Sequence, residues 1–374
     1  MKIQHLFHKI VRVALAIAAA VGMQTIVRAQ GVPLGLTLDH PQVKAVIAIQ
    51  KTITPDMMKL PGVLGTAVAL NDAGQTALVI YVDRGASTRD EIIRGLPAQI
   101  RGVGVKVELT DKFRAFAKPP SAGGGGGVSH TAIQTPPIQL GTSGGWSKDL
   151  ANGYCCGGTL GSLIQVNGVQ YILSNYHVFE SDIVLGGNGI MATTGDNIIQ
   201  PGLIDVGCTA ANAQNVATLV QLSSLPSNNV DCSVAQVIPG KVSGAILEIG
   251  TISSTTVGAS INQAVKKSGR TTGLSSSKVS GLNATINVAY DNECAGGAAF
   301  TKQFTGQIVI ANGGSKFLNS GDSGSLMMEN VNTNPRAIGL LYAGSSTSAI
   351  ANPIGEVLTF IGGKLGGTAT MVGN

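Results

Sequence analysis

The sequence predicts a mostly-β fold: two packed β-barrels followed by a C-terminal helix and preceded by a small α+β domain. Three observations carry this expectation. Only 12% of the 374 residues are charged, while 44% are hydrophobic and 51 are glycine, a balance that suits strands and tight turns better than long solvated helices. From Ile133 onward, short apolar runs are separated by turn signals such as Asn167-Gly168 and Asn332-Thr333-Asn334-Pro335. Between this region and the first 117 residues lies Pro119-Pro120 followed by Gly123–Gly127, a stretch with nothing to bury.

Residues 1–29 read as a signal peptide. Lys2, Lys9 and Arg12 precede an apolar run of eleven residues, Val13 to Met23, and Val27-Arg28-Ala29 ends in a small residue suited to cleavage. The run is short for a membrane span. The expected mature protein is secreted or periplasmic and has no stable membrane span once the signal is removed. The formal net charge of +5 includes four cations in this segment, Lys2, Lys9, Arg12 and Arg28, and no acid, which leaves +1. Only Lys266, Lys267 and Arg270 then cluster. They are too few for a nucleic-acid footprint and read as a solvated strand edge.

Residues 30–117 read as the α+β domain, in the order α-β-β-α-β. Pro41 to Met58 has helical spacing with a break at Pro55, and Val63–Leu70 and Ala77–Val82 are strand-like around Asn71-Asp72-Ala73-Gly74. A helix beginning near Thr88 would turn Ile92, Ile93 and Leu96 to the sheet, and Val103–Leu109 alternates as a last strand. The domain shows no catalytic constellation. Residues 118–132 form the expected linker and 133–374 the second domain. There, Thr159–Val166 and Val169–Ser174 make a hairpin on Asn167-Gly168. Strands are expected at 263–268, 278–289, 307–311, 325–329 and 337–343, and Asn352-Pro353 caps a final helix. No internal repeat is visible.

Five cysteines, at 155, 156, 208, 232 and 294, leave at least one thiol without an intrachain partner. Cys155 and Cys156 are adjacent, so one of them is expected to pair with Cys208 or Cys294. Cys232 reads as a small buried hydrophobe. Without a C-x-x-C pair, and with few histidines, no metal and no cofactor is expected.

The chemistry concentrates in Gly321-Asp322-Ser323-Gly324-Ser325. A serine is a weak nucleophile unless a base takes its proton and donors stabilise the oxyanion. Glycines allow the sharp turn that would aim the N–H groups of Gly321 and Ser323 at one oxygen. The plain alternative is a surface turn, of which so glycine-rich a chain must have many. His177, in Leu173-Ser174-Asn175-Tyr176-His177-Val178, reads as the single histidine of the second domain, because His5, His8, His40 and His130 fall in the signal, the first domain or the linker. Asp231, between small and apolar residues in a strand-like segment, needs donors, and the His177 ring would supply one. Asp182, Asp196 and Asp205 are its rivals. Asp205 reads as a turn residue.

With GDSGS, LSNYHV and VDCSVAQV in the order His, Asp, Ser, the region 133–364 resembles the chymotrypsin-like (trypsin-like) serine peptidases. More narrowly, its QPG, KSGRTTG and GDSGS segments resemble bacterial relatives of the plant Narrow Leaf serine peptidases. The resemblance implies a double β-barrel and an endopeptidase acting on protein or peptide substrates. It also implies His177 as general base, Asp231 as its orienter, Ser323 as nucleophile, and an oxyanion hole on Gly321 and Ser323. The primary pocket would be walled by Phe317, Leu318, Tyr342 and Gly344, which favours apolar side chains before the scissile bond. Val178 stands where animal trypsins carry a cysteine. No Arg/Lys-Ile-Val-Gly-Gly junction occurs, so Asp322 needs another partner, for which Arg270 is the candidate. The first domain is expected either to cover the cleft as a zymogen pro-domain, released by cuts in Gly123–Gly127, or to bind partners permanently. A non-catalytic binding protein on a peptidase-like fold is the alternative to the enzyme. A lipase-like esterase is disfavoured by the missing G-x-S-x-G spacing.

Overall fold

A computed structural model describes residues 35–115, 128–151, 154–180, 192–290 and 300–374. The expected signal peptide, the glycine run, Asp182 and Cys294 lie outside the described residues. The fold is mostly β with few helices. Among the described residues no helix is long and apolar enough to cross a membrane.

The first unit follows the expected order. Its helix, Pro41–Met57, starts with Pro41 in the first turn and with the His40 ring accepting from Gln42 N, and it buries Val43, Val46, Ile53 and Met57 along one face. Pro55 does not break it. A proline this close to the C-terminus forgoes only one of the last hydrogen bonds. Strands Val63–Leu70 and Thr76–Asp83 pair antiparallel. The turn between them is held by Asn71 Oδ1, which accepts from Ala73 N and Gln75 N. Helix Arg89–Gly95 carries the chain over to Val103–Thr110, which lies parallel to Thr76–Asp83. Ile92 is buried as expected, but Ile93 is 37% exposed, because a seven-residue helix turns only one narrow face to the sheet.

This unit shares a sheet with the second region. Val63–Leu70, which carries no charge and is buried almost throughout, pairs antiparallel with the long strand Ser275–Tyr290. The result is an eleven-stranded sheet. It runs Ala264–Lys267, Leu326–Glu329, Ala337–Gly344, Ser348–Pro353, Phe300–Ala311, Ser275–Tyr290, Val63–Leu70, Thr76–Asp83, Val103–Thr110, Gln99–Ile100, with Phe113–Ala115 alongside. Gln50, on the first helix, donates to Asn283 O at 2.9 Å and accepts from Asn283 Nδ2 at 2.8 Å, pinning the helix to that long strand.

An eight-stranded sheet forms the other part: Gly158–Leu160, Thr142–Trp146, Asn197–Gln200, Gln214–Val220, Ser233–Val237, Val169–Ser174, Ser162–Val166, Ala369–Met371. Its core includes Trp146, Leu173, Phe179 and Val234, and the closing helix Ile354–Leu365 adds Ile354, Val357 and Ile361. The expected single strand Thr159–Val166 is two strands that part at Gly161.

Three sequence expectations are corrected here. His130, assigned to the linker, is buried, with Nδ1 2.9 Å from Gly141 O and Nε2 2.6 Å from Glu248. His177 is therefore not the only histidine packed into this region. Lys266, Lys267 and Arg270 are 8%, 0% and 2% exposed and form no solvated edge: Lys266 Nζ donates to Val331 O, and Lys267 and Arg270 pair with the buried carboxylates of Asp322 and Asp205. Asp205 is more than a turn former. It lies in the short helix Leu203–Asp205, receives Arg270 Nε at 2.8 Å and Nη2 at 2.6 Å, and accepts from Ser143 Oγ. Cys155 is joined to Cys208, and Cys232 is a buried free thiol.

Candidate active site

The histidine leaves the sheet in a single helical turn. Strand Val169–Ser174 ends, Asn175 breaks to extended backbone, and Tyr176–Phe179 coils once. Asn175 Nδ2 donates to Asp231 O at 2.7 Å and so ties this turn to the segment that enters strand Ser233–Val237. Asp231 stands just before that strand, with its own N–H held by Asn352 Oδ1 at 2.8 Å.

The Asp231 carboxylate is fully buried. Oδ1 accepts from Tyr176 N at 2.8 Å and distantly from His177 N at 3.5 Å. Oδ2 lies 2.7 Å from His177 Nδ1 and 2.8 Å from the Tyr290 hydroxyl, which donates to it. A carboxylate on Nδ1 fixes the tautomer whose lone pair sits on Nε2. Among the described residues no group bonds His177 Nε2, and none bonds Ser323 Oγ; both atoms are buried. Burial with the Asp231 charge nearby pushes the Tyr290 and Tyr342 hydroxyls well above the ordinary phenol range, and burial does the same to the Cys232 thiol.

The serine turn is set from below by the other sheet. Gly321 and Gly324 have φ of +92° and +91°, the region where an L side chain is strained. Thr159 grips the turn twice: its N–H donates to Ser323 O at 2.9 Å and its hydroxyl to Gly321 O at 2.9 Å. A Cβ at Gly161 would sit 2.1 Å from Gly324 O. The parting of the two strands at Gly161 is thus the space in which the turn docks. Among the described residues no group accepts from the N–H of Gly321 or Ser323.

Asp322 points away into the protein. It accepts from Thr271 N, Thr272 N, Thr272 Oγ1 and Asn319 N, and Lys267 Nζ lies 3.1 Å from it, both side chains being fully buried. The cation that the sequence reading sought at Arg270 is Lys267. Burial draws the Lys267 ammonium down, and Asp322 opposes that shift.

Phe317 and Leu318 are buried in the core beneath the eleven-stranded sheet. Asn312, which the sequence did not single out, binds Leu318 O and Ser345 O through Nδ2 and Leu318 N through Oδ1. It joins the segment before the serine to the segment after Gly344, whose own Cβ would meet Leu318 at 3.0 Å. Phe317, Leu318 and Gly344 are therefore neighbours. Tyr342 turns to the opposite core, with Phe304 at 4.9 Å and with Tyr290.

The contributions of Lys267, Asn312 and Tyr290 were missed. For Lys267 the available signal was its three-residue distance from the R-T-T segment that wraps Asp322; for Tyr290 the local sequence offered none.

No protein-family model matches the chain, and no curated protein matches it. Solved structures do resemble it. A glutamic-acid-specific serine protease, described as using a histidine triad in substrate binding, is 17% identical over 63% of this chain and 100% of its own, with a TM-score of 0.41. Protease A of Thermobifida fusca is 15% identical over 63% and 99%, also with a TM-score of 0.41. A chymotrypsin of Cellulomonas bogoriensis is 18% identical over 58% and 91%, with a TM-score of 0.36.

Proposed function

We propose that the chain is an exported serine endopeptidase that cleaves peptide bonds through an acyl-enzyme on Ser323. One observation carries the reading: His177 is held by Asp231 at 2.7 Å through Nδ1, while Nε2 and Ser323 Oγ are both buried and neither has a hydrogen-bond partner among the described residues. In this reading Nε2 takes the Ser323 proton as Oγ attacks the carbonyl carbon. The N–H groups of Gly321 and Ser323 receive the oxyanion, and the imidazolium returns its proton to the leaving amine. The eight-stranded sheet and the neighbouring part of the eleven-stranded sheet serve as the two barrels. Phe317, Leu318 and Gly344, neighbours beside the serine turn, are proposed to wall a primary pocket that favours small or medium apolar side chains before the scissile bond; Tyr342 belongs to the opposite core and is not part of it. A buried Arg or Lys would need a carboxylate there.

Residues 30–117 are proposed to act as a pro-domain over the cleft, tethered by 118–132, after removal of the signal at 1–29. The support is local. Phe113–Ala115 pairs in parallel with Val288–Tyr290 and, at Arg114, antiparallel with Gly344. Thr110 Oγ1 lies 2.6 Å from Ser345 Oγ, and Ser323 is 1% exposed. Permanent attachment as a binding module is the competing role. Mass spectrometry of exported material separates the two: fully active protein still carrying 30–117 would rule out the pro-domain.

An organophosphonate probe tests the chemistry. One label per chain on Ser323 is expected, together with loss of casein hydrolysis in Ser323→Ala and a loss of similar size in His177→Ala, because members of such a unit do not act additively. Full hydrolysis by Ser323→Ala would sink the assignment of the nucleophile, and no label together with no hydrolysis by the native chain would leave a binding protein.

A further inference from the structure

The hydrolytic reading uses Asp231 to orient His177 but does not say what orients Asp231. The titratable groups around the pair come from four places. Tyr290 ends the strand Ser275–Tyr290, and Tyr342 comes from Ala337–Gly344. Cys232 adjoins Asp231, and Tyr176 and Glu180 belong to the histidine's own turn. Glu180 is engaged by Leu222 N, Ser223 N and Ser233 Oγ, and the Tyr342 hydroxyl has no partner among the described residues. The side chain of Tyr290 touches both members of the pair. Its hydroxyl meets Asp231 Oδ2 at 2.8 Å, and its ring stands edge-on to the imidazole, with centroids 6.1 Å apart and planes at 73°. Phe300 stacks on its far face at 4.9 Å and 13°, which fixes the ring's plane.

We propose that Tyr290 is a positioning residue for the hydrolytic reaction: it holds Asp231 Oδ2 opposite His177 Nδ1 and moderates the basicity of His177. The inference rests on His177, Asp231 and Ser323 acting as proposed above. A carboxylate has no proton to give, so the phenol must donate. The oxygen that receives Tyr290 is the same one that receives Nδ1–H, and charge shared with the phenol is not available to an imidazolium. Tyr290 therefore keeps Nε2 free at a lower pH than Asp231 alone would. The edge-on ring also resists rotation of the imidazole away from Ser323.

The test compares Tyr290→Phe, which keeps the ring and removes the donor, with 3-fluorotyrosine incorporated at position 290, which keeps the hydroxyl and makes it a better donor. Loss of a hydrogen bond to a charged group predicts a fall of roughly tenfold in kcat for Tyr290→Phe, with KM little changed. The acid limb of the kcat/KM profile should move up in Tyr290→Phe and down in the fluorotyrosine protein. The low-field Nδ1 proton of His177, followed by NMR without substrate, should shift in both. If Tyr290→Phe does not fold, the fluorotyrosine protein decides alone. An acid limb and an Nδ1 resonance that match the unmodified protein, whatever happens to the melting temperature, would overturn the proposal. Full activity in Ser323→Ala would instead remove the hydrolytic reading, and the Nδ1 resonance would still report whether Tyr290 tunes His177.

Discussion

Two carboxylates in this molecule are fully buried within the same site region, and they are satisfied in opposite ways. Asp322 receives four donors and faces a buried lysine, Lys267, at 3.1 Å. Asp231 receives a backbone N–H, a phenol and an imidazole, and no lysine or arginine among the described residues. A lysine beside Asp322 keeps one charge state and so locks the turn that carries Ser323. An imidazole beside Asp231 offers that carboxylate a neutral Nδ1 donor rather than a fixed cation. In the proposed reading, one buried acid serves geometry and the other proton transfer.

The sharpest way to break this contrast is to take the cation from Asp322. Lys267→Met should lower unfolding stability by about 3–5 kcal/mol, the usual result of leaving one member of a buried pair uncompensated. Adding Asp322→Asn should return a good part of it. Urea unfolding of the single and double variants is the measurement. A single variant that loses under about 1 kcal/mol would mean the four donors suffice without Lys267, and Asp322 would then need no cation any more than Asp231 does.

A second, smaller effect concerns the joint between the two sheets. Gly161→Ala places a methyl 2.1 Å from Gly324 O and 2.8 Å from Leu173 O. Both are backbone atoms, so relief requires the serine turn or its supporting strand to move, at a cost of about 1–3 kcal/mol. Activity should fall further than stability, because the displaced atoms include the residue after Ser323, the proposed nucleophile. Gly363→Ala, in the closing helix with open space around it, is the control and should be neutral or slightly stabilising. Equal melting temperatures for the two variants would show that Gly161 is not a contact point for the turn.

Much of this was legible in the sequence, and the reasons are local. The serine turn announced itself because only glycine tolerates the backbone at 321 and 324, and the hairpin at Asn167-Gly168 follows from the same constraint. The helices and strands of the first unit could be read from periodicity. Pairings between distant segments could not. Nothing in Val63–Leu70 specifies Ser275–Tyr290 as its neighbour, since an uncharged strand buried on both faces fits many partners. Lys267 looked solvated because lysines usually are, and its partner lies 55 positions away. Tyr290 closes a strand in which nothing but the fold brings Asp231 within reach.

The smallest expected effect belongs to a third buried carboxylate, Glu180, which has neither a lysine nor an imidazole partner among the described residues. It is 2% exposed and accepts from Leu222 N, Ser223 N and Ser233 Oγ. Burial pushes its carboxyl up, the three donors pull it down, and the Asp231 charge adds to the rise. The net direction is upward, so the folded protein holds this proton more tightly than the unfolded chain does. Its contribution to stability is then complete below the unfolded value near 4.5 and is lost as pH rises through the higher folded value. Glu180→Gln, which resembles the protonated acid in its donors and acceptors, removes that dependence. The stability advantage of the native chain over Glu180→Gln should therefore be greatest below pH about 4.5 and shrink as pH rises above it. Paired denaturant curves from acid to neutral pH read the sign directly. A gap that widens with pH would show that three donors alone hold a buried carboxylate ionised, and the cation beside Asp322 would no longer be what distinguishes it from the other buried acids.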